Sequence, residues 1–243
     1  MTLLNSRWRA AASWTFRKVA RQVYVRYAIW RFRTESRQAR SPEEALAFAQ
    51  SFKMRSVDIM PLQVSEEFAQ LVGILKTLAP KRILEIGTSK GGTLFVFSRI
   101  AGQDGTLVSV DLPRGRTGRK YPTWQIGIYR SFALENQSIH FVMGDSHLRE
   151  TVENVRKLLH GQPLDFLFVD GDHSYSGVKM DFETYSKFVR PGGVVGFHDI
   201  VPRPPKNQCD VNQFWNEIKE RYPHHEIVKD WSQNDAGIGL LFV

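Results

Sequence analysis

Three short stretches gather the side chains that could do chemistry. In the first, Ile83-Leu84-Glu85-Ile86-Gly87-Thr88-Ser89-Lys90-Gly91-Gly92 joins an apolar run to a glycine-rich turn. Residues 82–86 read as a buried strand and the helix signal resumes at Thr93, so the glycines stand where the chain must turn and bring its backbone close to a ligand. A lone acid, Asp111, ends the next apolar run, 24 residues after Gly87. An α/β nucleotide fold places there the carboxylate that accepts hydrogen bonds from ribose hydroxyls. The second stretch, Val169-Asp170-Gly171-Asp172-His173, holds two acids and a histidine, and the third, Phe197-His198-Asp199, ends the following apolar run in a His-Asp pair. Adjacent parallel strands lie about 4.8 Å apart, close enough for Asp170 and Asp199 to converge on one ion. Carboxylate oxygens suit Mg2+ more than Zn2+, and His198 would admit Mn2+. Histidines that satisfy core hydrogen bonds are the other reading of His173 and His198.

The glycine spacing discriminates between cofactors. A dinucleotide fold needs G-x-G-x-x-G to hold a pyrophosphate on helix-start amides, and position 89 is a serine. Glu85 would repel a phosphate and suits a cofactor with a cationic amino group. The pattern E-x-G-x-x-x-G-G formed by Glu85, Gly87, Gly91 and Gly92 resembles the first motif of class I S-adenosylmethionine-dependent methyltransferases, with Asp111 at the position of their ribose-binding acid. The resemblance places Thr88 and Ser89 against the cofactor and sets Asp145 and Ser146, in Gly144-Asp145-Ser146-His147, near the adenine; a helix N-cap at Asp145 or Ser146 is the alternative. D-x-x-H followed by the second acid is similar to metal-dependent O-methyltransferases of sugars and antibiotic-type natural products, in the same group as cephalosporin hydroxylase-like proteins. That likeness covers about residues 60–243. It implies Asp170, His198 and Asp199 as metal ligands and His173 as general base, acting on a small hydroxylated acceptor. The residue before the second acid is itself acidic in those relatives and is His198 here, so the site carries one negative charge less.

Charge is unevenly spread along the 243 residues. Residues 1–40 hold nine arginines and one lysine against a single glutamate, a balance of +9, while residues 41–243 hold 23 basic and 24 acidic side chains, a balance of −1. A nearly neutral catalytic region argues against a nucleic-acid substrate. The single cysteine, Cys209, excludes an intrachain disulfide framework, fits a reducing compartment and reads as a bystander. No apolar run reaches the ~20 residues of a membrane span and no secretory h-region is visible, so the expected location is the cytoplasm.

The elements that must position these residues follow from periodicity. The basic arm, residues 1–40, carries Trp8, Ala12, Phe16, Val19, Val23, Tyr27 and Trp30 at steps of three and four, the stripe of an amphipathic helix. Such a helix packs on the domain or on a second copy, lies peripherally on an anionic membrane, or serves targeting. Ser41-Pro42-Glu43-Glu44 reads as a capping box that ends the arm, and residues 41–80 as a helical cap whose last helix, 64–78, covers the pocket edge. Strands are expected at 82–86, 106–110, 139–143, 165–169, 193–197, 225–229 and 238–243, alternating with helices. This is a doubly wound, mostly parallel seven-stranded sheet, Rossmann-like, with its last strand antiparallel. Residues 113–123, rich in arginine, and the proline-rich residues 201–210 would be lids that select the acceptor. Alternatives for the whole are a metal-independent N- or O-methyltransferase, a membrane-surface binding protein that keeps only the pocket, and a nicotinamide oxidoreductase, the last disfavoured by the glycine spacing.

Overall fold

The computed structural model describes residues 2–55, 57–113, 125–204, 206 and 208–243, and of residues 2–17 the backbone alone. In chain order the elements are α1 (Thr2–Glu35), α2 (Pro42–Ser51), β1 (Lys53–Met54), β2 (Val57–Asp58), α3 (Ser65–Leu78), β3 (Arg82–Ile86), α4 (Gly92–Ile100), β4 (Thr106–Asp111), α5 (Ile126–Tyr129), β5 (Ser138–Met143), α6 (Arg149–Leu158), β6 (Leu164–Val169), α7 (Tyr175–Tyr185), β7 (Val189–His198), α8 (Val211–Ile218), β8 (His224–Ile227) and β9 (Ile238–Phe242). All seven expected strands form one sheet in the order β5-β4-β3-β6-β7-β9-β8. Strands β3 to β7 pair in parallel, and β9 runs antiparallel to both β7 and β8. The short β1–β2 hairpin was not anticipated. Strand β7 also starts earlier than expected, because Val189 pairs with Leu164 across an irregularity in register.

Continuous apolar strands are the signature of a sheet covered on both faces, and β6 is buried at every residue. Phe166 and Phe168 point into one core with α1 to α5, while Leu167 and Val169 point into the other with α6 to α8. Local signals set the helix ends. Ser41 and Glu44 make the capping box with Pro42 in the first turn of α2, and α3 stops at Ala79 in a left-handed conformation (φ 47°) just before Pro80. The chain crosses from one side of β3 to the other between β5 and β6, so the carboxyl ends of β3 and β6 flank the switch point where open α/β sheets bind ligands.

The arm joins the core through an unexpected face. Ala28 and Phe32 of α1 are 1% and 0% exposed, and the Phe32 ring lies 4.9–5.7 Å from those of Phe48, Phe52, Phe95 and Phe132. Val19, Val23, Tyr27 and Trp30, from the stripe read in the sequence, are instead exposed. The cause is that residues 23–25 and 27–29 are apolar or aromatic in runs, so two faces satisfy helical spacing and the aromatic pocket at Phe95 and Phe132 selects the one bearing Phe32. Truncating Phe32 to alanine is expected to cost about 3–5 kcal/mol in urea denaturation; an unchanged midpoint would show that α1 contributes nothing to the core.

Candidate active site

The glycine turn closes over the switch point. Gly87 and Gly91 have φ of 93° and 77°, and Ser89, at 46°, shares the left-handed region. A Cβ on Gly87 would stand 2.0 Å from the Asp170 carbonyl oxygen, so the ends of β3 and β6 meet only because residue 87 has no side chain. Asp111, at the end of β4, holds the turn: its Oδ2 accepts from the amides of Thr88 and Ser89, both at 3.1 Å, and its Oδ1 from Leu112 N at 2.7 Å. Burial raises the Asp111 carboxyl above its ordinary range, and these backbone bonds oppose the rise. Thr88, itself buried, is hydrogen-bonded through its hydroxyl to Ser109. Residues 60–63, 87–90, 92 and 93 together with Asp170 line a narrow cleft.

Glu85 lies in β3 without exposure and is not part of the cleft wall. Its Oε1 accepts from the Thr93 hydroxyl, and its buried Oε2 has no hydrogen-bond partner. Burial, with the charges of Asp170 and Asp111 nearby, pushes this carboxyl up to about 8. Asp145 and Ser146 lie at the carboxyl end of β5, two strands from β3 and away from the described cleft wall. They form a turn fixed from α7: Tyr185 donates to the Ser146 carbonyl at 2.7 Å, and Asp145 Oδ1 accepts from His147 N at 2.9 Å. Neither residue caps α6, which begins at Arg149 after Leu148.

The residues after β6 and β7 do come together. Ligand atoms of Asp170, His198 and Asp199 all lie within 4.8 Å of one another. His198 Nδ1 is 3.2 Å from Asp170 Oδ1 and 3.4 Å from Asp199 Oδ1. His173 bridges the same acids, with Nδ1 3.2 Å from Asp199 Oδ2 and Nε2 3.6 Å from Asp170 Oδ1. Burial alone would raise Asp170 and lower both imidazoles, but mutual attraction prevails. Asp170 is pulled down to about 2 by His198 and His173. His198 is held up at about 9, mainly by the Asp170 charge, and His173 at about 10 by bonds to Asp170 and Cys209 and by the Asp199 charge. Asp199 sits at φ 69°, an uncommon conformation for a non-glycine residue, held in place by this network.

Three partners were not read from the sequence. Gln63 donates to Asp170 Oδ2 at 2.8 Å, Arg203 donates to Asp199 Oδ1, and Cys209 joins His173 and Asp199 in a second group of convergent ligand atoms. Cys209, read as a bystander, stands beside the cluster because the loop after β7 folds back and Asp210 N donates to the His173 carbonyl at 2.8 Å. Gln63 lies 107 residues from its partner, beyond the range of any local signal. Of the two loops read as lids, residues 114–123 lie outside the described residues, and the second supplies Arg203.

A family model described as "Methyltransferase domain" matches residues 84–200, from the middle of β3 to just past Asp199. Residues 84–200 thus match a methyltransferase domain. Tapetum-specific methyltransferase 1 of Arabidopsis thaliana is 25% identical over 131 residues, 53% of this chain and 50% of that protein. An uncharacterised protein of Sinorhizobium fredii is 30% identical over 172 residues, 70% of this chain and 18% of that protein. The chain therefore spans half or less of the length of these two relatives. Among solved structures, the O-methyltransferase TomG of Streptomyces achromogenes, involved in tomaymycin synthesis and bound to S-adenosylmethionine, has a TM-score of 0.56 at 20% identity, covering 82% of this chain and 89% of that one. A putative caffeoyl-CoA O-methyltransferase of Staphylococcus aureus also gives 0.56 at 20% identity, covering 90% and 99%. The methyltransferase domain thus has the class I, Rossmann-like fold expected from its strand order.

The raised Glu85 carboxyl makes the stability of the methyltransferase domain depend on pH. The folded chain keeps a proton up to about 8 that an ordinary glutamate releases near 4.5. Folding then binds a proton across that window, and stability falls as pH rises through it. Glu85→Gln is expected to flatten the decline in melting temperature over this range and to exceed the parent near pH 8; parallel pH profiles would contradict a buried, unpaired carboxyl.

Proposed function

We propose that the chain transfers a methyl group from S-adenosylmethionine to a hydroxyl of a small glycosylated or natural-product acceptor, assisted by a divalent cation, in the cytoplasm. The observation that carries this reading is the meeting of the glycine turn with the Asp170, His173, His198 and Asp199 cluster at one sheet edge. It is supported by the methyltransferase-domain match and by neighbours named as O-methyltransferases, one bound to S-adenosylmethionine and another, from Bacillus cereus, to its demethylated product.

The chain offers a matching environment for the cofactor. Backbone at residues 87–91 can approach the ligand closely, Asp111 would accept from ribose hydroxyls, and Glu85, protonated in the free domain, would ionise if the cofactor's ammonium came beside its unpartnered Oε2. Asp145 and Ser146 would meet the adenine from the β5 end. When bound, the cofactor supplies a sulfonium-activated methyl group, and the protein's part is orientation of the acceptor oxygen in line with it.

The donors fit a divalent cation: two carboxylates and an imidazole converge, and His198 Nε2 and Asp199 Oδ2 are buried with no hydrogen-bond partner. Asp170, His198 and Asp199 would hold Mg2+ or Mn2+, which lowers the pKa of a bound hydroxyl. His173, whose proton is held by the Asp170 and Asp199 charges, would be the base for the acceptor hydroxyl if a cation shared those charges. Loading the site expels protons from the histidines, so affinity should rise with pH.

The Arg203 contact with Asp199 favours a second reading, in which the guanidinium takes the cation's place and transfer needs no metal. Methyl transfer from labelled cofactor to a library of hydroxylated acceptors separates the two. Activity is expected to disappear in chelator, to return with Mg2+ or Mn2+, and to fall by a factor of about 10² or more in His173→Ala. Full activity in chelator would establish the metal-free reading, and no transfer to any oxygen acceptor in any condition would remove the O-methyltransferase proposal.

A further inference from the structure

Helix α1 presents to solvent a feature that the domain does not use. Val19, Val23, Tyr27 and Trp30 are 52%, 61%, 50% and 61% exposed, and their steps of four, four and three put them on one face. The opposite face carries Ala28 and Phe32 into the core, so this stripe points away from the domain. The Tyr27 and Trp30 rings lie side by side, 5.9 Å apart. Arg26 stands three residues after Val23 and four before Trp30, and Arg33 three after Trp30; both are exposed and border the stripe.

We propose that this face of α1 docks on an anionic phospholipid surface, the helix lying in the plane of the headgroups. Charge selects the occupant. The first 40 residues hold ten basic side chains against one acid, whereas residues 41–243 are nearly neutral, so the positive field belongs to the element that bears the stripe. A second copy would bring an equally basic arm against the first and add repulsion, while anionic headgroups add attraction. Tryptophan and tyrosine suit the boundary between headgroups and acyl chains, with valines below it and arginine stems reaching back to phosphate. No helix among the described residues is long and apolar enough to cross a membrane, so the contact is peripheral.

Docking would also place the cleft. A Cβ at Gly127 in α5 would stand 3.7 Å from Ile29 and 3.8 Å from Val25 of α1, and Tyr129 in the same short helix donates to the Ser89 carbonyl at 3.4 Å. One short helix therefore separates α1 from the glycine turn.

The test is co-sedimentation of the full chain with vesicles of phosphatidylcholine alone or mixed with phosphatidylglycerol, at low and high salt. Binding is expected only to the anionic vesicles and to weaken with salt. It should fall by about tenfold or more in the double variants Val23→Glu, Trp30→Glu and Arg26→Gln, Arg33→Gln. All four positions are exposed, so melting temperature and cofactor binding should match the parent and exclude misfolding. Equal binding to neutral vesicles, no binding to either, or undiminished binding by the variants would overturn the proposal. A dimer in sedimentation equilibrium that Val23→Glu, Trp30→Glu dissolves would assign the stripe to self-association instead.

Discussion

The closest constraint in the fold is the meeting of two backbones at Gly87 and Asp170. A Cβ on residue 87 would fall 2.0 Å from the Asp170 carbonyl oxygen, a separation that no side chain can occupy. Two backbone bonds knit the same place, from Gly87 N to the Val110 carbonyl and from Asp170 N to the Ile86 carbonyl, each at 2.9 Å. The ends of β3, β4 and β6 thereby become one block. Asp111 is delivered beneath the turn whose amides it accepts, and Asp170 is delivered beside His198 by the pairing of Val169 with Phe197. The glycine turn and the cluster of Asp170, His173, His198 and Asp199 share a wall because one residue lacks a side chain.

That proximity has an electrostatic consequence. Glu85, Asp111 and Asp170 are carboxylates at the carboxyl edge of neighbouring strands, and burial together with their mutual repulsion raises the first two. Asp170 escapes because His198 and His173 neutralise it, and Asp199 has Arg203 and both histidines. Glu85 has no cationic partner at all among the described residues, only the Thr93 hydroxyl. The edge is thus compensated within the protein: backbone amides meet Asp111, histidines and Arg203 meet the two acids of the cluster, and Glu85 keeps its proton up to about 8.

The sheet was legible because β3, β4, β6 and the second half of β7 are buried and mostly apolar, with few polar residues such as Glu85, Ser109 and Asp165 inside them and a polar cluster just past their carboxyl ends. Cap signals were legible for the same local reason, as at Ser41 and Pro80. Long-range polar pairing was not. Glu67, fully buried in α3, accepts from Lys229 N, Gln233 and Gly237 N and so ties α3 to the β8–β9 hairpin, yet it looks in sequence like one of several exposed helix acids. Gln63 and Arg203 were hidden likewise, since nothing local marks a side chain that meets a carboxylate from another element. The arm shows the limit of periodicity: its two overlapping apolar faces have nearly equal spacing, and only the aromatic pocket of the core separates them.

The central claim is that Gly87 lets β3 and β6 close around a nucleoside cofactor, and titration calorimetry tests it most directly. Parent protein and Gly87→Ala are titrated with S-adenosylhomocysteine and with S-adenosylmethionine, each checked for an intact cooperative melt. Micromolar binding to the parent is expected, on the order of KM values of enzymes in general, and none to a folded Gly87→Ala. No binding to the parent, or equal binding by the folded variant, would contradict it.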